Sequence, residues 1–204
     1  MRLLFFIIAV LAVTVLSASA SAWASLPYYN ADLGYTIWLP KSWSEAPSGS
    51  LDALERSGCA WPGQRMAPDW RAGYVHPEGG RTCSLLVEVK HGRTMWAADI
   101  SNFNSFLVRS LARAIREDVR LPGEPVTVFK DATYFPDKKT LRIETEVAVK
   151  GETVLSLAYI VYTRKGMLTF TAFVNPANRE ARQAVDKAVL SVYLDERLRL
   201  AGDR

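Results

Sequence analysis

Hydrophobic and polar positions alternate along this chain with two different periods. From Gly34 to Pro40, Tyr35, Ile37 and Leu39 alternate with Thr36 and Trp38, the two-residue period of a half-buried strand, and Pro40 ends it. Lys41, Ser42 and Trp43 turn the chain. Residues 84–90, rich in Leu and Val, predict a second strand. Over residues 99–120 the period changes: Phe103, Phe106, Leu107, Leu111, Ala114 and Ile115 recur at three- and four-residue steps, which predicts an amphipathic helix. Asp99 is placed to cap it, and Pro122 with Gly123 to end it.

An antiparallel meander is expected next. A short strand at 126–130 leads to Leu141, Ile143, Thr145, Val147 and Val149 alternating with Arg142, Glu144, Glu146, Ala148 and Lys150, one buried face and one largely wet face. Turns at 150–152 and 164–166 separate strands at 153–163 and 167–174. Residues 153–163 are apolar on both faces, so both must be covered. Asn175 and Pro176 offer an N-cap and N1 for a closing helix whose apolar side is Ala181, Ala184, Val185, Ala188, Val189 and Val192. The charged residues 195–204 are expected to fray. Between 57 and 82, three Pro and five Gly without a sustained period predict a long irregular excursion.

This order of elements fits an α+β fold, an antiparallel sheet sandwiched by helices. The segment Gly34-Tyr35-Thr36-Ile37-Trp38-Leu39-Pro40-Lys41-Ser42-Trp43 resembles the opening strand and P-x-x-W turn of the PsbP-like group, which includes the extrinsic photosystem subunit, a Ran-binding protein and the bacterial DcrB-like envelope proteins. The paired hairpins before the last helix extend the likeness over most of residues 30–193. The resemblance implies an α/β/α sandwich and a binding or assembly role without a common active site, so it assigns no functional residue. The excursion between Cys59 and Cys83 departs from the group's pattern.

Residues 1–24 carry one positive charge, an apolar run from Leu3 to Leu16, and small residues ending Ala22-Trp23-Ala24, the three parts of a secretory signal. The run of fourteen is shorter than the ~20 residues of a permanent span. Cleavage is expected after Ala24, with Ala20 as the other site and an uncleaved anchor as the alternative. That leaves one domain, residues 25–204, in the periplasm or outside the cell. In an oxidising compartment the only two cysteines, Cys59 and Cys83, are expected to pair and staple the excursion. The net charge is +4, or +3 once Arg2 leaves with the signal, too mild for a dedicated nucleic-acid binder.

The sequence carries few groups arranged for chemistry. The chain has two histidines and no nucleophile elbow, phosphate-cradling loop or dinucleotide fingerprint, so no catalytic residue, cofactor or metal is assigned. His91 follows a strand alone, as exposed or structural histidines do. Glu144 and Glu146 share a strand face, as part of a two-carboxylate hydrolase's pair would, yet between Arg142 and Lys150 they resemble an ordinary solvated face.

Two features remain. The excursion gathers Trp61, Arg65, Trp70, Arg71, Tyr74 and His76, residue types that anchor interfaces, although the same rings can form a mini-core tucking the loop onto the sheet. On the first helix Arg109, Arg113, Arg116 and Arg120 form a stripe suited to an anionic lipid or polymer, or simply a solvated face. The expectation is an exported, non-catalytic envelope protein binding a protein or an anionic polymer. The alternative is an envelope hydrolase or glycan-acting enzyme with a cleft under the aromatic loop; stabilisation of a larger complex differs from the first only in permanence.

Overall fold

The computed structural model of the chain describes residues 25–54, 68–78, 81–101, 108, 110, 127–149 and 152–202. They build an α+β fold. A seven-stranded antiparallel sheet runs in the order β3 (Ser44–Glu45), β4 (Trp70–Glu78), β5 (Arg81–His91), β9 (Gly166–Val174), β8 (Glu152–Thr163), β7 (Thr140–Val149), β6 (Thr127–Phe135). A three-stranded sheet, β1 (Ser25–Asn30), β2 (Tyr35–Pro40) and β10 (Tyr193–Leu194), lies over one face together with α2 (Arg179–Leu190). Against the other face lie α1 (Ala97–Ser101) and the turn at Ser48–Ser50 with Leu51.

The demand for cover on both faces of residues 153–163 is met. On one side of β8, Leu155, Leu157, Tyr159 and Val161 join Tyr35, Ile37 and Leu39 of β2 and Ala181, Val185, Ala188 and Val189 of α2 in a single core. On the other, Ile160 and Tyr162 pack with Ile100, Leu141 and Leu200. Asn178, rather than Asn175, caps α2: its Oδ1 accepts from the Ala181 amide at 3.0 Å. Asn175 instead accepts from the Ala177 amide at 2.9 Å and shapes the turn before the helix.

Several elements differ from the sequence expectation. Strand β4 runs through what was expected to be irregular chain. A bulge between Trp70 and Ala72 breaks its alternation, and Ala72, Gly73 and Tyr74 are buried in succession, so no two-residue period marks it. Strand β6 is longer than 126–130 because another bulge, between Phe129 and Asp131, hides its continuation. Helix α1 begins at Ala97, and Asp99 accepts from the Trp96 amide at 3.2 Å from within the first turn instead of preceding it. Most of 102–126 lies outside the described residues. The C-terminal segment does not fray: Leu200 is buried, the Leu198 carbonyl accepts from the Arg164 amide at 2.8 Å, and the Ala201 carbonyl accepts from the Ala97 amide at 3.0 Å.

The polar face of β7 is not an ordinary solvated face. Arg142, Glu144 and Glu146 stand opposite Tyr159, Leu157 and Leu155 of β8, on the side that carries α2. Arg142 reaches Asp186 of α2 at 2.9 Å and Glu144 at 2.9 Å; Arg182 of α2 reaches Glu144 at 2.6 Å, and the Tyr159 hydroxyl donates to Asp186 at 2.6 Å. The Glu144 side chain is 4% exposed and that of Arg142 12% exposed, so these charges depend on each other rather than on water. Burial disfavours the Arg142 cation, but the Asp186 hydrogen bond and the two carboxylate charges outweigh it and raise its pKa above the usual value. Arg142→Ala leaves the buried Glu144 to Arg182 alone and Asp186 to the Tyr159 hydroxyl alone, and is expected to cost about 3 kcal/mol in urea unfolding.

Two further outcomes follow from the core. Gly166 opens β9 at φ 131°, where a Cβ would run into the Lys90 carbonyl oxygen and stand 2.8 Å from the Gly92 nitrogen. Gly166→Ala is expected to lower stability by about 2–4 kcal/mol, read from the same urea curves. Tyr35, Tyr74 and Tyr159 have fully buried side chains, and burial raises all three hydroxyl pKa values, that of Tyr74 to about 12. Below pH 10 the folded and unfolded chains both keep these protons; above it only the folded chain does. Stability is therefore expected to fall between about pH 10 and pH 12, by on the order of 1.4 kcal/mol per pH unit for each of these buried tyrosines, and Tyr159→Phe to make that fall shallower.

Candidate binding surface

The residues singled out in the excursion do not form one surface. Tyr74 is a core residue: its side chain is fully buried, its hydroxyl lies 2.7 Å from the Tyr35 hydroxyl, and its ring meets Tyr28 edge-on at 5.4 Å. It cannot face a partner. Trp70, on the opposite side of the sheet, packs with Leu51, Leu54, Leu86 and Phe173. Arg71 is exposed and pairs with Asp69 at 3.3 Å. His76 is half-buried with its ring 6.0 Å from Trp43, and Cys83 stands opposite it on β5, buried. Trp61, Arg65, Cys59 and the stripe Arg109, Arg113, Arg116 and Arg120 lie outside the described residues. His91 is exposed at the end of β5.

A different aromatic surface is present on the small sheet. Strand β2 turns Tyr35, Ile37 and Leu39 into the core and Thr36 and Trp38 outward. Register places Tyr29 of β1 and Tyr193 of β10 on either side of Thr36, and Pro27 beside Trp38. Tyr29 and Tyr193 therefore flank β2 about 10 Å apart, two strand spacings, with Trp38 diagonal to both. Tyr29 is 54% exposed, Trp38 39% and Tyr193 56%. Among the described residues six large hydrophobic side chains are exposed, and three of them share this outward face; a fourth, Leu26, pairs with the core residue Leu39 and so lies on the other side of β1. This is a cluster and not scattered exposure, which makes the face the candidate surface.

Polar contacts hold the outer rings in place. The Tyr29 hydroxyl donates to Asp195 at 3.0 Å, and this hydrogen bond, with lesser help from desolvation, raises its pKa. The Arg199 guanidinium lies 4.3 Å from the Tyr193 ring centroid and also donates to the Tyr193 hydroxyl, while its Nε donates to the Leu194 carbonyl at 3.0 Å. Arg197 donates to the Ala31 carbonyl at 3.3 Å and stands 3.7 Å from Asp195. The Ser191 hydroxyl accepts from the Trp38 amide at 2.9 Å, extending the join between β2 and the chain leading into β10. The two tyrosine rings are anchored by their polar tips and Trp38 through its backbone, so the tyrosines present apolar area at small entropic cost.

The inner side of the same sheet carries a hydroxyl cluster, Tyr28, Tyr35 and Tyr74, with Glu45 and Asn30 at its margin. Asn30 accepts from the Leu33 amide at 2.9 Å and so also fixes the turn between β1 and β2. Burial raises the pKa of each of these tyrosines, so at neutral pH they are hydrogen-bonding groups and not bases. Among the described residues no three His, Cys, Asp or Glu side chains gather as a metal site requires. The arrangement suits contact through rings and guanidinium groups.

The sequence carried a signal for part of this surface: Trp38 is a large ring on the polar side of a clean alternation, an exposure that the pattern alone implies. Tyr29 had no such frame because Leu26, Pro27, Tyr28 and Tyr29 follow one another without alternation, and two residues are too few for β10 to show a period.

No protein-family model matches the chain, and no curated protein is similar to it in sequence. Solved structures are. The chain is similar to cyanobacterial PsbP (CyanoP) from Synechocystis sp. PCC 6803, at 13% identity and a TM-score of 0.49 over 84% of this chain and 92% of that one. It is similar to LpqN of Mycobacterium tuberculosis, described as involved in cell envelope biogenesis, at 13% identity and a TM-score of 0.42 over 84% and 91%. It is also similar to PA94 of Pseudomonas aeruginosa, a protein of unknown function, at 13% identity and a TM-score of 0.41 over 82% and 94%. These are likenesses in the course of the chain and carry no residue's role across; the first belongs to the fold group that the opening strand resembles.

Proposed function

We propose that this chain is an exported, envelope-associated protein that binds a partner without converting it, and that the outward face of the small sheet is the contact surface. The observation that carries this reading is the grouping of Tyr29, Trp38 and Tyr193 on one exposed face, each ring held at its polar end or backbone by the C-terminal segment. Export rests on the three-part leader of residues 1–24, and the periplasm is the compartment it implies. The surface offers aromatic area and guanidinium groups, the side-chain types that dominate binding energy at protein surfaces.

The test compares envelope retention of the wild-type chain with that of Trp38→Ala, Tyr193→Ala and Arg71→Ala, each first checked for native circular dichroism. Loss of about 1.4 kcal/mol of contact, tenfold in retention, is expected for the two ring variants and none for Arg71→Ala. Equal retention of all four would remove the small sheet as the contact surface.

A further inference from the structure

Resting on that reading, we infer that the partner of the aromatic face is the surface of a lipid bilayer, with the rings seated among the headgroups. Trp and Tyr concentrate at the interface between hydrocarbon and water because each joins an apolar ring to a polar tip, and arginine offers headgroup phosphates a fork of donors. The small sheet supplies this set in one place: Trp38 on β2, Tyr29 and Tyr193 diagonal to it on the two neighbouring strands, and Arg199 stacked on Tyr193.

The start of the sheet supports the same partner. The apolar run of the leader ends at Leu16, and only residues 17–24 separate it from Ser25, the first residue of β1. Eight extended residues reach at most ~28 Å. While the leader is held in the membrane, β1 cannot lie farther than that from the bilayer, so the small sheet is the part of the fold kept beside it. If the leader is retained as an anchor, the constraint is permanent.

Charge indicates how the contact is made. Lys41, Arg197 and Arg199 border the sheet, but so do Asp32, Asp195 and Glu196, so the patch has no net charge to steer it. The rings, and not a basic field, then supply most of the attraction, and binding is expected to depend little on salt. This separates the surface from a polybasic patch, whose attraction is screened within a Debye length.

The experiment is co-flotation of the leaderless chain, purified from the exporting cell, with vesicles of phosphatidylethanolamine and phosphatidylglycerol. Parallel samples contain peptidoglycan sacculi, or envelope proteins solubilised in detergent. The wild type is expected to float with the vesicles and to lose less than about twofold of its binding between roughly 0.05 and 0.5 M salt. Trp38→Ser is expected to lower flotation roughly tenfold, Tyr29→Ser with Tyr193→Ser by a similar factor, and Trp38→Phe to retain most of it. The paired tyrosine variant leaves Trp38 in place, so the inference stays testable if Trp38→Ser misfolds. Absence of wild-type flotation, flotation indifferent to the rings, or flotation abolished by salt would each overturn the inference. Ring-dependent retention on sacculi or solubilised proteins without flotation would overturn the lipid partner and leave the binding reading standing; ring variants that alter no retention would overturn both.

Discussion

Strands β8 and β9 are apolar on both faces, and the rest of the molecule is arranged to keep water from them. Tyr159 and Phe170 point to one side and Ile160 and Phe173 to the other, so neither face of the seven-stranded sheet can be left wet in the middle. One face is closed by α2 and the small sheet, the other by the turn at Leu51, α1 and the returning C-terminal segment. Cover on the first face is itself two-layered: β2 is buried below by Ile37 and Leu39 and carries Trp38 above. The candidate surface is thus the back of a structural part, and its rigidity is borrowed from the core it covers.

The two covering elements are fixed by different physics. Helix α2 is joined to the sheet by apolar residues and, at its side, by Arg142, Glu144, Asp186 and Arg182, a cluster whose geometry must be right because unpaired buried charge is costly. The small sheet is joined by aromatic edges, Tyr28 on Tyr74 and Tyr35 on Phe170, and by the hydroxyl pair Tyr35 and Tyr74. Ionic pairing fixes where α2 sits along β7 and β8, whereas ring packing sets how closely the small sheet approaches.

How much of this was legible depended on whether a local period survived. Strands β2, β7, β8 and β9 kept theirs and could be read within a residue or two, as could the apolar side of α2. Strands β4 and β6 could not, because a bulge in each shifts the phase just where the pattern should repeat. For Tyr74 the sequence left both an interface and a packed ring open, because among Pro, Gly and Arg no period decides, and only pairing with β5 shows it pointing into the core. The polar side of β7 was misread because helix cover is a tertiary fact; nothing in Arg142-Ile143-Glu144 says that Asp186 and Arg182 will arrive over it. Trp38 was visible in the alternation, but Tyr193 met it only through a pairing between opposite ends of the chain.

That last pairing has a consequence for the timing of folding. Trp38 and Ser191 are 153 residues apart, and Tyr29 and Asp195 are 166 apart, so the small sheet closes a loop nearly as long as the domain. Long-range closure is entropically late and slow. Its third strand is not available until nearly the whole chain has emerged, and until then β2 lacks part of the cover for Ile37 and Leu39. A chain built this way stays short of its native state until its tail has come back to its head.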